Sequence, residues 1–269
     1  MQRLLLLGAA VLLASCGETQ TGDHTASTPD AAAVEVGTNS DNAVSILDHP
    51  DRFADDADND ARRKPVESLA FFGLAEDNVK TVFEMEAGGG YFTELLSLSV
   101  GDDGSVTTQN PSQIMRFFED ALQKRFVDGR LTNVTRTETP FDALTAADGS
   151  IDLVTWIQGP HELFFIQPDG STLGDAGATF AEIVRILKPG GAFVAIDHST
   201  VEGAEDGTFT ALHRIDKNRV VAMAEAVGLV LEAEGDFLAN PEDDRTLGII
   251  NPEIRGKTDQ FALRFRKSQ

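Results

Sequence analysis

Three polar groups stand at the ends of apolar runs. His161-Glu162 follows IDLVTWI, Asp197-His198 closes GAFVAID, and LHRID places His213 and Arg214 just before Asp216. Histidine titrates near neutrality, so it can take a proton from a reacting hydroxyl or amine. His161 or His198 suits that role, and His213 suits that of a substrate ligand. The same residues, with Asp197, could hold a divalent metal. They could also be scaffolding, with Asp197 and His198 bonding backbone groups and Asp216 capping a helix.

A fourth feature is the stretch TVFEMEAGGGYFTELL, in which an apolar run reaches Glu84 and then turns through Gly88, Gly89 and Gly90. Glycines let the backbone approach a ligand closely, and a helix starting near Tyr91 aims free N–H groups at it. The dinucleotide fingerprint needs a further glycine, but position 93 is threonine, and no Walker lysine follows. These absences disfavour a dinucleotide or a nucleoside triphosphate.

The elements that must position these groups alternate along the chain. Val66, Leu69, Ala70 and Phe72 share a helical face ending at Gly73, and a first strand is expected over 79–83. A helix follows from Phe92, a second strand surrounds Val106, and Ile114, Phe117, Phe118, Ala121, Leu122 and Phe126 recur at helical spacing. A third strand is expected over 131–137 and a fourth over 151–157. A helix carrying Phe180, Ile183, Val184 and Leu187 stops at LKPGG, and a buried strand covers 191–197. Asp216 caps the next helix, Gly228 stands just past its end, and two strand-like runs close the chain. Alternation of this kind predicts an α/β fold, a mostly parallel sheet with helices on both faces. Ligands of such sheets bind beyond the carboxyl ends of the strands, where the glycine turn and all three histidine groups fall.

Glu84, Gly88 and Gly90 match the acid-x-Gly-x-Gly-x-Gly motif of class I S-adenosylmethionine (SAM)-dependent methyltransferases, with Glu86 in place of the first glycine. In the same order, DGSIDLV resembles the entry to the fourth strand of that superfamily and LKPGGAFVAID the helix, turn and strand after it. With DHS, LHRID and RGKTDQFALRFRK, the chain resembles a group of exported bacterial methyltransferases over about residues 45–269. The resemblance implies a Rossmann-like, seven-stranded fold and SAM as cofactor. Glu84 would hold the amino end of the methionine moiety, and Ala87, Gly88, Gly89 and Gly90 its carboxylate and ribose region. The second strand ends in VTTQN where the superfamily has an acid, so Gln109 or Asn110 would meet the ribose neutrally. Asp142 falls where such proteins touch the adenine amino group. Trp156 either lines the adenine pocket or is core. The expected activity is methyl transfer to a small molecule. The alternatives are a non-catalytic binding module and a metal-dependent enzyme built on the His/Asp cluster.

Residues 1–15 have a basic start and an apolar run too short to span a bilayer, and so resemble a signal peptide. Leu13-Ala14-Ser15-Cys16 resembles the lipobox of bacterial lipoproteins, which implies lipidation at Cys16 and a periplasm-facing location in the cell envelope. An ordinary secretory signal is the other reading. Cys16 is the only cysteine, which excludes intramolecular disulfides and cysteine zinc sites. Residues 16–44 lack large apolar side chains and are expected to be a flexible tether, followed by one domain over 45–269. The chain carries 22 basic and 44 acidic side chains, a net charge of −22. That charge repels phosphate backbones and anionic headgroups, so nucleic acid is not an expected partner and membrane contact is expected only through the lipid.

Overall fold

The computed structural model describes residues 40–75 and 78–269. The expected signal peptide, most of the tether, and Cys16 lie outside the described residues. Helix α1 (Ser40–Leu47) runs across the boundary expected between residues 44 and 45. It is followed by α2 (Ala57–Arg63) and α3 (Pro65–Phe72), with Pro65 at the first turn of α3, where its missing N–H costs nothing.

The core is a seven-stranded sheet in the order β3-β2-β1-β4-β5-β7-β6. Its strands are β1 (Thr81–Met85), β2 (Ser105–Gln109), β3 (Val134–Thr137), β4 (Ile151–Ile157), β5 (Leu187–His198), β6 (Leu229–Gly235) and β7 (Gln260–Lys267). β7 runs antiparallel to both of its neighbours, and the pairings from β3 through β5 are parallel. Connecting helices are α4 (Tyr91–Val100), α5 (Glu119–Arg125), α6 (Ala176–Ile186), α7 (Asp206–Leu212) and α8 (Lys217–Ala226).

Side chains alternate between two cores because successive strand residues face opposite ways. Phe83, Val154 and Phe193 enter one cluster with Phe180 and Ile183 of α6, while Val82, Leu153 and Ala192 enter the other with Leu95 and Leu96 of α4. The central strands are apolar on both faces because helices cover both. Strand order reverses beside β1, which has β2 on one side and β4 on the other. A crevice at the carboxyl end of β1 follows from that reversal.

Four elements differ from expectation, one of them β3, which begins three residues late at Val134. β1 begins two residues late, after Asn78 turns the chain in a left-handed conformation (φ 48°). The single helix expected over 114–126 is instead a 3-10 turn (Met115–Phe117) followed by α5, and Phe117 is left exposed. Leu187 closes no helix: it pairs with Ile151 and opens β5. Asp216 caps α8 as expected, its carboxylate accepting from Asn218 N at 2.9 Å.

Candidate active site

β1 delivers Glu84 to the floor of a cavity of about 590 Å3. The glycine turn forms one wall through Ala87, Gly88 and Gly89, and Phe53, Asp56, Asn59 and Arg63 cover it from the N-terminal side. Gly90 sits in the left-handed region (φ 82°), and a Cβ there would come within 2.8 Å of Arg125 Cδ, so glycine is required on both counts. Thr93 Oγ1 donates to Glu84 Oε2 at 2.5 Å. Burial raises the Glu84 carboxyl to about 8, against the pull of that bond and of the Arg125 and Arg63 charges. A cation arriving above Glu84 would therefore meet an acid ready to give up its proton.

The cover is tied down by ions. Arg125 of α5 donates to both carboxylate oxygens of Asp56 at 2.9 Å, to Glu94, and through Nε to Gly89 O at 2.9 Å. Glu94 also accepts from Phe53 N at 2.8 Å and from Arg130 at 2.6 Å. Breaking a buried pair of this kind by removing one partner costs about 3–5 kcal/mol. Neither Arg125 nor the cover residues carry a sequence motif; only the structure brings them to the loop.

Gln109 and Asn110 are not among the residues lining this cavity. Gln109 Oε1 accepts from Glu86 N at 3.1 Å and its Nε2 donates to Thr139 O at 2.5 Å. Asn110 bonds Gly88 twice, accepting from its N at 2.8 Å and donating to its O at 3.2 Å. Both amides help to brace the loop. The Asp142 carboxylate accepts from Asp175 N at 2.9 Å, at the start of α6. Trp156 is core, fully buried against Phe141, with ring centroids 4.8 Å apart.

Glu86, the residue standing where a glycine was expected, adopts a left-handed conformation (φ 49°). Its Oε2 accepts from Trp156 Nε1 at 3.0 Å, satisfying the buried indole. Burial, together with the charge of nearby Glu162, lifts its carboxyl well above the usual range. Gly159 makes room for this contact, since a Cβ there would stand 1.8 Å from Trp156 Nε1 and 2.4 Å from Glu86 Oε2.

The polar groups at the strand ends do meet. Asp197, fully buried, accepts from His161 N and pairs with His161 Nδ1, each at 2.8 Å, and accepts from His198 N at 2.7 Å. His161 Nε2 and His213 Nδ1 both approach Glu162 Oε1 at 3.3 Å. Burial alone would lower His161, but the flanking Asp197 and Glu162 carboxylates prevail and hold it up to about 10. That direction favours the imidazolium at this position. His213 is drawn to Glu162 and to the Phe165 ring, 5.1 Å away, rather than to a substrate cavity.

His198 is different. Burial and the neighbouring positive charges of His161 and Arg214 press its pKa well below the usual value, so it is neutral. Its Nδ1 bonds Thr258 Oγ1 at 2.7 Å. It lines a second cavity of about 390 Å3 with Arg62, Arg63, Arg255 and Gln260. Arg63, Phe118 and Gln158 form a wall common to both cavities. Gln158, at the exit of β4, is another left-handed non-glycine residue (φ 61°), a strained position of the sort that collects at functional sites. The segment around Ile249, Ile250 and Arg255 closes this second cavity, held by the fully buried Arg214, whose guanidinium bonds Asp243 at 2.8 and 3.1 Å and Leu247 O at 2.9 Å.

The strand order, with its antiparallel seventh strand, and the acid-to-glycine loop at the reversal define the class I methyltransferase fold. Residues 83–195 match a methyltransferase domain family. A SAM-dependent methyltransferase from Aquifex aeolicus superposes with a TM-score of 0.53 at 18% identity, over 83% of this chain and 97% of that one. A dimethylglycine N-methyltransferase from Parasynechococcus marenigrum is 34% identical over 33% of this chain and 34% of its own length. A ubiquinone/menaquinone biosynthesis C-methyltransferase from Hydrogenovibrio crunogenus is 29% identical over 50% of this chain and 47% of its own. The chain thus spans between a third and half of the length of these two relatives.

Proposed function

We propose that the chain is a SAM-dependent methyltransferase acting on a small molecule, with SAM in the glycine-loop cavity and the acceptor in the cavity lined by His198. The observation that carries this reading is the Glu84 carboxyl under the loop, on the floor of a space within the range of small-molecule sites. The donor set fits the amino-acid end of SAM: Glu84 for the ammonium, and the Gly88 to Gly89 backbone beside it. One relative is a methyltransferase of dimethylglycine, a small acceptor that carries a carboxylate, in keeping with the proposal.

When bound, SAM would supply a sulfonium methyl group. The chain's own part is to orient and to move one proton. The shared wall of Arg63, Phe118 and Gln158 sets the two bound molecules side by side, so that transfer is between neighbours. With Nδ1–H donated to Thr258 Oγ1, His198 Nε2 carries the lone pair that takes the acceptor's proton. Arg62, Arg63 and Arg255 give this cavity a positive lining in a chain of net charge −22, which favours an anionic acceptor. Incubation with methyl-labelled SAM and a panel of small carboxylates that also bear an amine or hydroxyl, the group that loses its proton as it is methylated, tests this. Transfer that falls about 100-fold or more in His198→Ala supports it, and transfer unchanged in that variant removes His198 from the mechanism.

A second reading, a binding module without transfer, is favoured by one observation: Gln109 and Asn110 are occupied by the loop, and no acid follows β2. SAM that binds without any label transfer would support it. We further propose that the chain is held in the cell envelope by lipid on Cys16, a reading that rests on LASC and the apolar run before it.

A further inference from the structure

His161, Glu162 and His213 offer three ligand atoms that all lie within 4.8 Å of one another. The pairs His161 Nε2 to Glu162 Oε1 and His213 Nδ1 to Glu162 Oε1 each measure 3.3 Å. That is long for a charge-assisted hydrogen bond, which closes to about 2.7–2.9 Å. It matches the edge of a tetrahedron drawn about a zinc-type ion with bonds of about 2.0–2.1 Å, which is about 3.3 Å. We propose that these three residues form a site for a divalent transition metal of the zinc type, with Asp197 as the residue that positions His161.

The surroundings are those of a built site. Asp197 Oδ1 takes the Nδ1–H of His161 at 2.8 Å, so the ion binds at Nε2 by displacing the proton there, and Asp197 Oδ2 holds the His161 backbone N–H. A carboxylate behind a ligating imidazole is the usual outer partner of a metal-bound histidine. His213 ends α7 in a left-handed conformation (φ 52°), a strained position for a non-glycine residue, and that turn brings its ring to Glu162 and Phe165. His161 is 3% exposed, while the side chains of Glu162 and His213 are 18% and 30% exposed, so an ion can enter from the His213 side. Two imidazoles and one carboxylate suit zinc, cobalt or iron in preference to magnesium or calcium. Three protein ligands leave a fourth position for water or a small ligand. The ion would join the turn after β4 (Pro160–Phe164) to the end of α7, one residue pair away from His198.

The test is titration of the chelator-treated full-length chain with Co2+, read by visible absorption. One equivalent giving the intense bands of a four-coordinate ion, displaced by Zn2+, is the expected result. His213→Ala should abolish the bands while its unfolding midpoint without metal stays that of the parent, since His213 is partly exposed. Asp197→Asn should weaken binding about 10–100-fold. The weak spectrum of an octahedral ion, or bands of equal intensity in His213→Ala, would overturn the assignment and leave an ion cluster without metal. No SAM enters the measurement, so its outcome is separate from that of the methyl-transfer reading.

Discussion

Replacing Glu84 by Gln should change how stability depends on pH, and by an amount the structure specifies. In the folded chain the Glu84 carboxyl keeps its proton up to about pH 8, against an ordinary value of 4.5, because burial penalises its charge. The folded state therefore binds one more proton than the unfolded chain between those two values. The contribution of this group is full below pH 4.5 and is lost as pH rises to about 8. The loss amounts to roughly 5 kcal/mol across the window. Glu84→Gln cannot ionise, so its stability relative to the parent should increase by about 4 kcal/mol between pH 5 and pH 8.5. Urea unfolding at several pH values reads this directly. A constant difference between the two proteins would mean that Glu84 is ionised throughout, and the reasoning about its environment would fail. Ligand binding gives a second view of the same proton. If the SAM ammonium pairs with a carboxylate at Glu84, binding at pH 7 should release about 0.9 proton, seen as a dependence of the calorimetric heat on buffer ionisation enthalpy. Glu84→Gln should release none.

Other outcomes follow from the packing. Arg125→Ala leaves Asp56 and Glu94 buried without their cation, and should destabilise the fold by about 3–5 kcal/mol in denaturant titration. Gly159→Ala forces its Cβ against Trp156 and Glu86, and should cost about 1–3 kcal/mol and loosen the glycine loop, visible as faster amide exchange at residues 86–90. Glu86→Gly relieves a left-handed non-glycine residue but leaves the Trp156 N–H without its acceptor. The net effect on stability should be within about 1–2 kcal/mol, and tryptophan fluorescence should shift. Cys16→Ala should abolish incorporation of labelled fatty acid into the chain and release it from the membrane fraction, whereas labelling that persists would refute the anchor.

The sheet was legible because its information is local and periodic. IDLVTWI occupies the strand predicted for it, and Asp216 and Gly228 bracket α8 as their side-chain chemistry dictates. The Glu84-to-Gly90 turn was equally readable, since a tight loop at a strand end needs its glycines in the chain itself. What was not legible depends on long-range contact. Arg125 and Asp56 are 69 residues apart, and neither has a pattern around it that names the other. Gln109 and Asn110 have the right polarity for a ribose, but their bonds to the backbone of the glycine loop depend on contacts across the sheet that no local pattern announces. Trp156 and Glu86 form a pair that neither residue announces, although Gly159 next to the strand was a usable sign of close approach. His161 and His198 look alike in sequence and are opposite in charge. The difference lies in Asp197 and Glu162, whose carboxylates meet the ring nitrogens of the first, whereas Asp197 reaches the second only at its backbone N–H.

The central claim is that the loop above Glu84 is a SAM site, and calorimetric titration of the full-length chain with SAM tests it most directly. The account predicts saturable one-site binding that is lost in Gly89→Val, whose side chain would press on Ala121, already 3.2 Å from the Cβ position. Absence of heat with the parent chain, or equal binding in Gly89→Val, would contradict it.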